Sequence, residues 1–387
     1  MSSVSPISPV DAAVRKIIYL SGTRADFGLM KSTLQLLALV ADLSVAVTGM
    51  HLEPEFGHTV DEIRAAGLRI CGEVPVDVKT RTQQSMSASV GTCLVGLTAL
   101  LQAEQPDMLV VLGDRGEMLA GAIAALHLGI VCAHIHGGER SGTVDEPVRH
   151  AISKLGAYHL VATQESQERL IRMGESLERI HVTGAPGLDG LGVEASMSLD
   201  DCKRALDLPL EKAFVLVSFH PVVQQAQDAY EQTCALLEAL HKTGLPVIWL
   251  EPNADAGSHE ILRALDEIAL PAGSQRVRHL SRPIFCTTMR HCAVMVGNSS
   301  AGIIEASSFG TPVVNVGDRQ RLRERNPNVA DVGTDASGIQ SAVKAALLHG
   351  KWPCDNRYGD GLAGPRIVQL LTTLPLNRSV LEKINSY

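Results

Sequence analysis

The sequence predicts an α/β protein made of two doubly wound domains facing a central cleft. Short aliphatic runs alternate with helix-period segments almost from end to end. That strand–helix–strand rhythm builds parallel sheets with right-handed crossovers. The chain has 387 residues and 45% hydrophobic content but only 3% aromatics, so its cores must be made of Val, Leu, Ile and Ala, the composition of strands covered by helices on both faces. Its length also exceeds the roughly 250–300 residues that one core organises.

Taken in order, strands are expected at 16–20, 43–47, 108–112, 129–135, 158–162 and 180–183. Helices are expected between them at 29–41, 59–66, 83–104, 117–128, 146–155 and 164–173. The pattern loosens around 185–201, where Pro186 and several glycines interrupt it. It restarts with strands at 213–218, 246–251, 276–280, 293–296 and 312–316, separated by helices at 224–241, 259–268, 283–290 and 301–309. This places a hinge near 185–205, a first domain over 1–190 and a second over 205–360. Two last helical stretches, 365–373 and 379–384, lie in a terminal segment, 361–387, that can cross back onto the first domain.

Net charge is −8 with no basic run, which argues against nucleic acid or an anionic membrane surface as partner. An anionic ligand would have to be held by individually placed arginines. The eight cysteines are scattered without a CxxC, mostly inside apolar segments, as expected of reduced core thiols in a cytoplasmic protein. The start, 1–13, is rich in Ser and Pro and lacks a charged-then-apolar leader pattern. No apolar run is expected to reach the ~20 residues of a membrane helix.

The chemistry gathers at predicted strand ends, where ligands bind in open parallel sheets. His134-Ile135-His136-Gly137-Gly138-Glu139 closes one strand and is followed by Asp145, Arg149 and His150, while Gly113-Asp114-Arg115 closes the strand before it. Two adjacent ends loaded with acids, imidazoles and guanidinium groups read as one proton-transfer site. A His-x-His zinc site is the rival, but H-E-x-x-H is absent and no cysteine lies close. Gly22-Thr23-Arg24-Ala25-Asp26-Phe27-Gly28 opens the first long helix, where a positive helix end and a guanidinium fork suit an anion. An ordinary turn with a surface arginine fits it equally well. In the second half Gly297-Asn298-Ser299-Ser300-Ala301-Gly302 forms a phosphate cradle at a helix start, with Glu305 placed for ribose hydroxyls and Arg319 within reach. Ser299 as a plain N-cap is the alternative. His220-Pro221 and Glu251-Pro252-Asn253 end two neighbouring strands.

These motifs run in the order of a known family. GTRADFG, LGDRGE, HIHGGERSGTVDEPVRH, FHP and GNSSAGIIEASSFGTPVVNVGDRQ together resemble the hydrolysing UDP-N-acetylglucosamine 2-epimerases of the sialic-acid branch, over roughly 16–373. The resemblance implies two Rossmann-like domains in a glycosyltransferase-B-like arrangement. It also implies elimination of UDP from a UDP-2-acetamido sugar to a glycal, followed by hydration to the free 2-epimer, with no cofactor and no metal. It makes Asp114 and Asp145 the essential carboxylates and His220 the cleft histidine. Arg24, Arg115, His220, Asn253, Ser299, Ser300, Glu305 and Arg319 become the UDP contacts. His136 stands where some relatives carry a glutamate, so that duty passes to His136 or Glu139, and Gly28 stands where some carry a serine. The substrate is UDP-GlcNAc or the 4-acetamido-6-deoxy sugar that leads to legionaminic acid. A homo-oligomer is expected by the same resemblance. A non-hydrolysing epimerase, a glycosyltransferase of the same architecture and a catalytically inert UDP-sugar sensor are the rival functions.

Overall fold

The computed structural model describes residues 14–209 and 211–386. The Ser/Pro-rich start, Leu210 and Tyr387 lie outside the described residues. Seven strands form a first parallel sheet: β1 (Lys16–Ser21), β2 (Asp42–Thr48), β3 (Arg69–Val74), β4 (Met108–Leu112), β5 (Val131–Ile135), β6 (Tyr158–Val161) and β7 (Ile180–Val182). Their order is β3-β2-β1-β4-β5-β6-β7. A second parallel sheet holds β8 (Val215–Ser218), β9 (Val247–Leu250), β10 (Gln275–Val277), β11 (Val294–Gly297), β12 (Val313–Val316) and β13 (Val329–Val332), in the order β10-β9-β8-β11-β12-β13.

Burial explains why the central strands read as unbroken aliphatic runs. On β1, Ile17 and Tyr19 face one helix layer and Ile18 and Leu20 the other, all with no exposed surface. The helix Arg24–Leu37 buries Phe27, Met30, Leu34 and Leu37 on one stripe, which meets Ile17 and Tyr19. The terminal helix Ala363–Thr373 packs on the same layer through Ile367 and Leu371. Each such side chain removed from water contributes about 1.5–3 kcal/mol, so the end of the chain is fastened to the first sheet.

Several expectations need correction. The edge strands β3 and β13 and the helix Ala336–His349 were not anticipated. Both edge strands keep partly exposed residues along their length, so neither reads as an aliphatic run. The fifth strand begins at Val131, because Gly129 caps the preceding helix. The 301–309 helix is a short helix Ser300–Ile304 followed by a separate 3-10 turn, and 379–384 reduces to Arg378–Leu381. The loose stretch 185–205 is packed, with Leu188, Leu191 and Ala195 sharing a core with Cys286 and Ile303. The helix Gln83–Glu104 has 22 residues and holds an 18-residue stretch of mean hydropathy 1.5, so it is long and apolar enough to cross a membrane by length and composition, contrary to expectation. One face of it, Cys93, Leu97 and Leu101, is buried on the first sheet.

The strand order reverses between β1 and β4 in the first sheet and between β8 and β11 in the second. At such a switch point neighbouring loops diverge and leave a crevice beyond the strand ends. Gly22–Arg24, Gly113–Arg115, His220 and Gly297–Ser300 follow those four strands.

Candidate active site

A cleft of about 300 Å³ opens between the two sheets, lined from both sides. Arg24, Asp114, Arg115 and His136 line it from the first half, and His220, Asn253, Ser299, Ser300, Glu305 and Arg319 from the second. Glu139 and Asp145 are not on its wall. A larger, more open cavity of about 960 Å³, bordered by Thr163, Arg290, Arg357 and Arg366, contains none of the expected site residues.

The acids are held by guanidinium groups. Gly113, in the left-handed region at φ 82°, turns the chain out of β4 and delivers Asp114. Arg149 donates from Nη2 closely to Asp114 Oδ2, and from Nη1 to the Glu139 carbonyl at 3.0 Å. Arg149 is fully buried in the helix Asp145–Leu155. Arg323, from the loop after β12, donates closely to Glu139 Oε2 and lies 3.9 Å from Asp114 Oδ2. Glu139 Oε1 meets His136 Nδ1 in a close hydrogen bond. Burial raises the Glu139 carboxyl, but Arg323 and His136 outweigh it and hold the group below its ordinary value. His136 therefore faces the cleft and Glu139 stands behind it. Asp145 opens its helix on the rim, with Oδ2 3.8 Å from Arg319 Nη2.

His134 does different work. Its Nε2 donates to the Gly113 carbonyl at 2.7 Å, and Ser153 Oγ lies 3.0 Å from Nδ1. Burial pushes this imidazole down to about 3, so it is neutral and ties β4 to the helix bearing Arg149. Among the described residues, no group of three or more His, Cys, Asp or Glu side chains is arranged to hold a metal ion.

The opposite wall is built for a neutral or anionic partner. A Cβ at Gly297, φ 134°, would sit 2.2 Å from the Ser218 carbonyl, so only glycine lets β8 and β11 end this close together. Asn298 then bridges them, accepting from His220 N and donating to the His220 carbonyl, each at 2.8 Å. Asn253 N approaches His220 Nδ1 at 3.3 Å, which leaves the other ring nitrogen as donor. Burial, with Arg319 and Arg115 nearby, pushes His220 down to about 3 against Asp255. Ser299 caps the helix Ser300–Ile304, its Oγ accepting from Ala301 N at 3.4 Å. Arg319 Nη1 donates to the Asn298 carbonyl at 3.1 Å. Glu305 is held closely by Arg282, which also donates to the Gly187 carbonyl at 2.8 Å. Arg115 Nη2 lies 3.5 Å from Asp255 Oδ1 and Asn253 Nδ2 2.5 Å from Asp255 Oδ2, so Asp255 joins the two halves.

The first helix corrects one expectation. The N–H groups of Gly22 and Thr23 donate to Asp26 Oδ2 at 3.0 and 2.7 Å, so that helix start already carries a carboxylate. Burial raises Asp26 to about 6 against hydrogen bonds from Ser21, Gly22 and Thr23. Anion binding on this side falls to Arg24. Burial lowers its guanidinium against Glu62, and among the described residues it has no ion-pair partner. Arg149, which organises Asp114, belongs to the strand-end cluster the sequence singled out, whereas Arg323 and Arg282 were missed as site residues. The only hint was the alternation Arg319, Arg321, Arg323, Arg325.

The family model for UDP-N-acetylglucosamine 2-epimerase matches residues 38–372. The chain belongs to the UDP-N-acetylglucosamine 2-epimerase family. Among members of this family, it is 47% identical to the UDP-N,N'-diacetylbacillosamine 2-epimerase (hydrolyzing) of Legionella pneumophila, over 97% of this chain and all of that protein. It is 34% identical to a UDP-N-acetylglucosamine 2-epimerase of Neisseria meningitidis, over 90% of this chain and 92% of the other. In fold it is similar to a UDP-GlcNAc 2-epimerase of Methanocaldococcus jannaschii solved with UDP-GlcNAc and UDP, at TM-score 0.77 and 18% identity, covering 92% of this chain and 99% of that one. The Neisseria meningitidis epimerase solved with UDP-GlcNAc gives TM-score 0.76 at 20% identity, with coverage of 92% and 99%.

Proposed function

We propose that this epimerase hydrolyses a UDP-linked 2-acetamido sugar with inversion at C2. The observation that carries the reading is one cleft with Asp114 and the His136 imidazole on one wall and a serine–arginine cradle on the other, in a chain 47% identical to a hydrolysing relative over nearly its whole length. Arg24, Ser299, Ser300 and Arg319 take the diphosphate, whose departure is the charge that most needs stabilising. Glu305, fixed by Arg282, and Asn253 take the nucleoside, with Arg115 beside them. His220, kept neutral, donates to the ligand from Nε2.

On the other wall a base takes the C2 proton while the C1–O bond breaks, so the electron pair forms the C1=C2 bond of a glycal and UDP leaves. Water then adds its hydroxyl to C1 and a proton returns to the opposite face of C2, giving UDP and the free epimer. Asp114 and His136 stand nearest for these transfers. Glu139 acts through His136 by holding Nδ1, and Asp145 through Arg319.

The finer substrate is the UDP-2,4-diacetamido-2,4,6-trideoxy sugar of legionaminic acid synthesis, with UDP-GlcNAc, which would yield N-acetylmannosamine, as the second candidate. The higher identity to the diacetylbacillosamine relative supports it. So does an apolar wall of Leu29, Met50 and Phe56, which suits a 6-methyl group. A cytoplasmic setting is supported by eight free cysteines, five of them buried. The net charge of −8 without a basic run argues against nucleic acid or an anionic membrane surface as partner. A second copy of the chain covers the outer face of Gln83–Glu104, where Val95 is 73% exposed. Incubation with each sugar nucleotide, following UDP and free sugar, tests the reading. Turnover of neither would refute it, and a UDP-linked epimer in place of free sugar would favour the non-hydrolysing alternative.

A further inference from the structure

We infer that Arg323 is a positioning residue for the reaction: reaching across the cleft from the nucleotide-binding half, it fixes the His136–Glu139 pair as a base, so that the acid–base cluster is complete only when the two halves are closed. This rests on the function proposed above and assigns a role to a residue outside both the acids and the UDP cradle.

Arg323 sits in the loop between β12 and β13, which passes the nucleotide cradle at Arg319 and then touches the first half at Glu324. There Thr163 Oγ1 donates closely to Glu324. Between these two anchors, Arg323 places Nη1 on Glu139 Oε2 and Nη2 3.9 Å from Asp114. His136 occupies the other Glu139 oxygen. With both oxygens taken and the side chain only 3% exposed, the carboxylate cannot turn. The imidazole is thereby held by Nδ1, with its Nε2 edge left for the cleft. His136 itself adopts φ 63°, an uncommon conformation for a side-chain-bearing residue that must be held by its surroundings. Arg149, the first-half guanidinium that reaches the Glu139 backbone, is already committed to Asp114.

Other charged or titratable groups also face the pair. His134 stands behind it on β5, Arg149 donates to the Glu139 carbonyl and Arg169 to the Gly138 carbonyl. Asp114 comes from the end of β4, while Glu324 and Tyr358 approach from the second half. Of the cations, Arg323 alone touches the Glu139 carboxylate among the described residues. A nearby positive charge weakens the hold of such a pair on its shared proton. Deleting it must therefore move the proton-free, base-competent form to higher pH. Any separation of the halves removes Arg323 in the same way, which couples closure over the diphosphate to arming of the base.

The test begins with the wild-type enzyme, measuring UDP and free-sugar release from the diacetamido substrate and from UDP-GlcNAc across pH. No turnover there would refute the functional reading and not this inference. Given turnover, Arg323→Gln should lower kcat near neutral pH by roughly 10-fold or more and move the acid limb of kcat/KM upward by about one pH unit. Inhibition by UDP should change by less than about 2-fold, since Arg24, Ser299 and Ser300 are untouched. Arg323→Lys keeps the charge without the fork and should fall in between. In a Glu139→Gln background, Arg323→Gln should add no further shift of the limb, as expected for one interacting unit. A wild-type limb and kcat in Arg323→Gln, or a loss confined to UDP affinity, would overturn the inference. If the glutamine variant does not fold, the lysine variant decides through the loss of the fork: a lowered kcat with UDP inhibition unchanged supports the inference, and a wild-type kcat overturns it.

Discussion

Replacing Asp114 by Asn is the perturbation whose consequences the site geometry defines best. The Asp114 side chain is 22% exposed and its partner Arg149 only 1%, so the substitution leaves a buried guanidinium facing a neutral amide. The amide oxygen still accepts a hydrogen bond but without charge assistance, a loss of about 1–3 kcal/mol of stability. Chemistry should suffer more. Asn cannot take a proton, and removal of a general acid or base typically costs roughly 100- to 10,000-fold in rate. UDP release under saturating substrate measures the rate, and calorimetric titration of UDP measures affinity. Because Ser299, Ser300 and Arg319 lie on the other wall and Arg24 is untouched, UDP affinity should stay within about 2-fold. Wild-type turnover in Asp114→Asn, or a loss of UDP affinity as large as the loss of rate, would show that this acid does not serve the hexose.

Other outcomes follow from the same geometry. Arg24→Ala removes a guanidinium with no ion-pair partner among the described residues, and UDP should bind roughly 10- to 100-fold more weakly, the worth of one charge-assisted hydrogen bond; unchanged affinity in calorimetry would place the diphosphate elsewhere. His134 is held at about 3 against an ordinary 6.5. The folded protein thus binds fewer protons than the unfolded chain in that window, so this stability is present above pH 6.5 and lost as pH falls towards 3. Urea midpoints should trace that loss, and His134→Asn should flatten it. Ile367→Ala opens a cavity between the terminal helix and the first sheet and should cost about 2–5 kcal/mol; a loss under about 1 kcal/mol would mean the helix is not part of that core.

What could be read in advance, and what could not, follows from how far apart the determinants lie. β1, β4, β8 and β11 are buried on both faces, so each shows as a local aliphatic run, and the groups that follow them are named by the next few residues. β3 and β13 lie at sheet edges, and nothing local separates Arg69–Val74 from a loop. Arg323 and Glu139 are 184 positions apart, and no spacing rule pairs them. His136 and Glu139 were both candidates because each is chemically able. Only the fold shows that one lines the cleft and the other backs it. Arg24 was placed correctly at a helix start, yet the helix end itself was already taken by Asp26, an acid visible in the sequence whose side chain could not be seen to fold back onto Gly22 and Thr23.

The central claim is that one wall moves the C2 proton while the other releases UDP. Running the reaction in deuterated water and examining both products tests it most directly. The account predicts UDP and free sugar in equal amounts, the sugar bearing deuterium at C2 in the inverted configuration. A released sugar that keeps its original C2 hydrogen would contradict it.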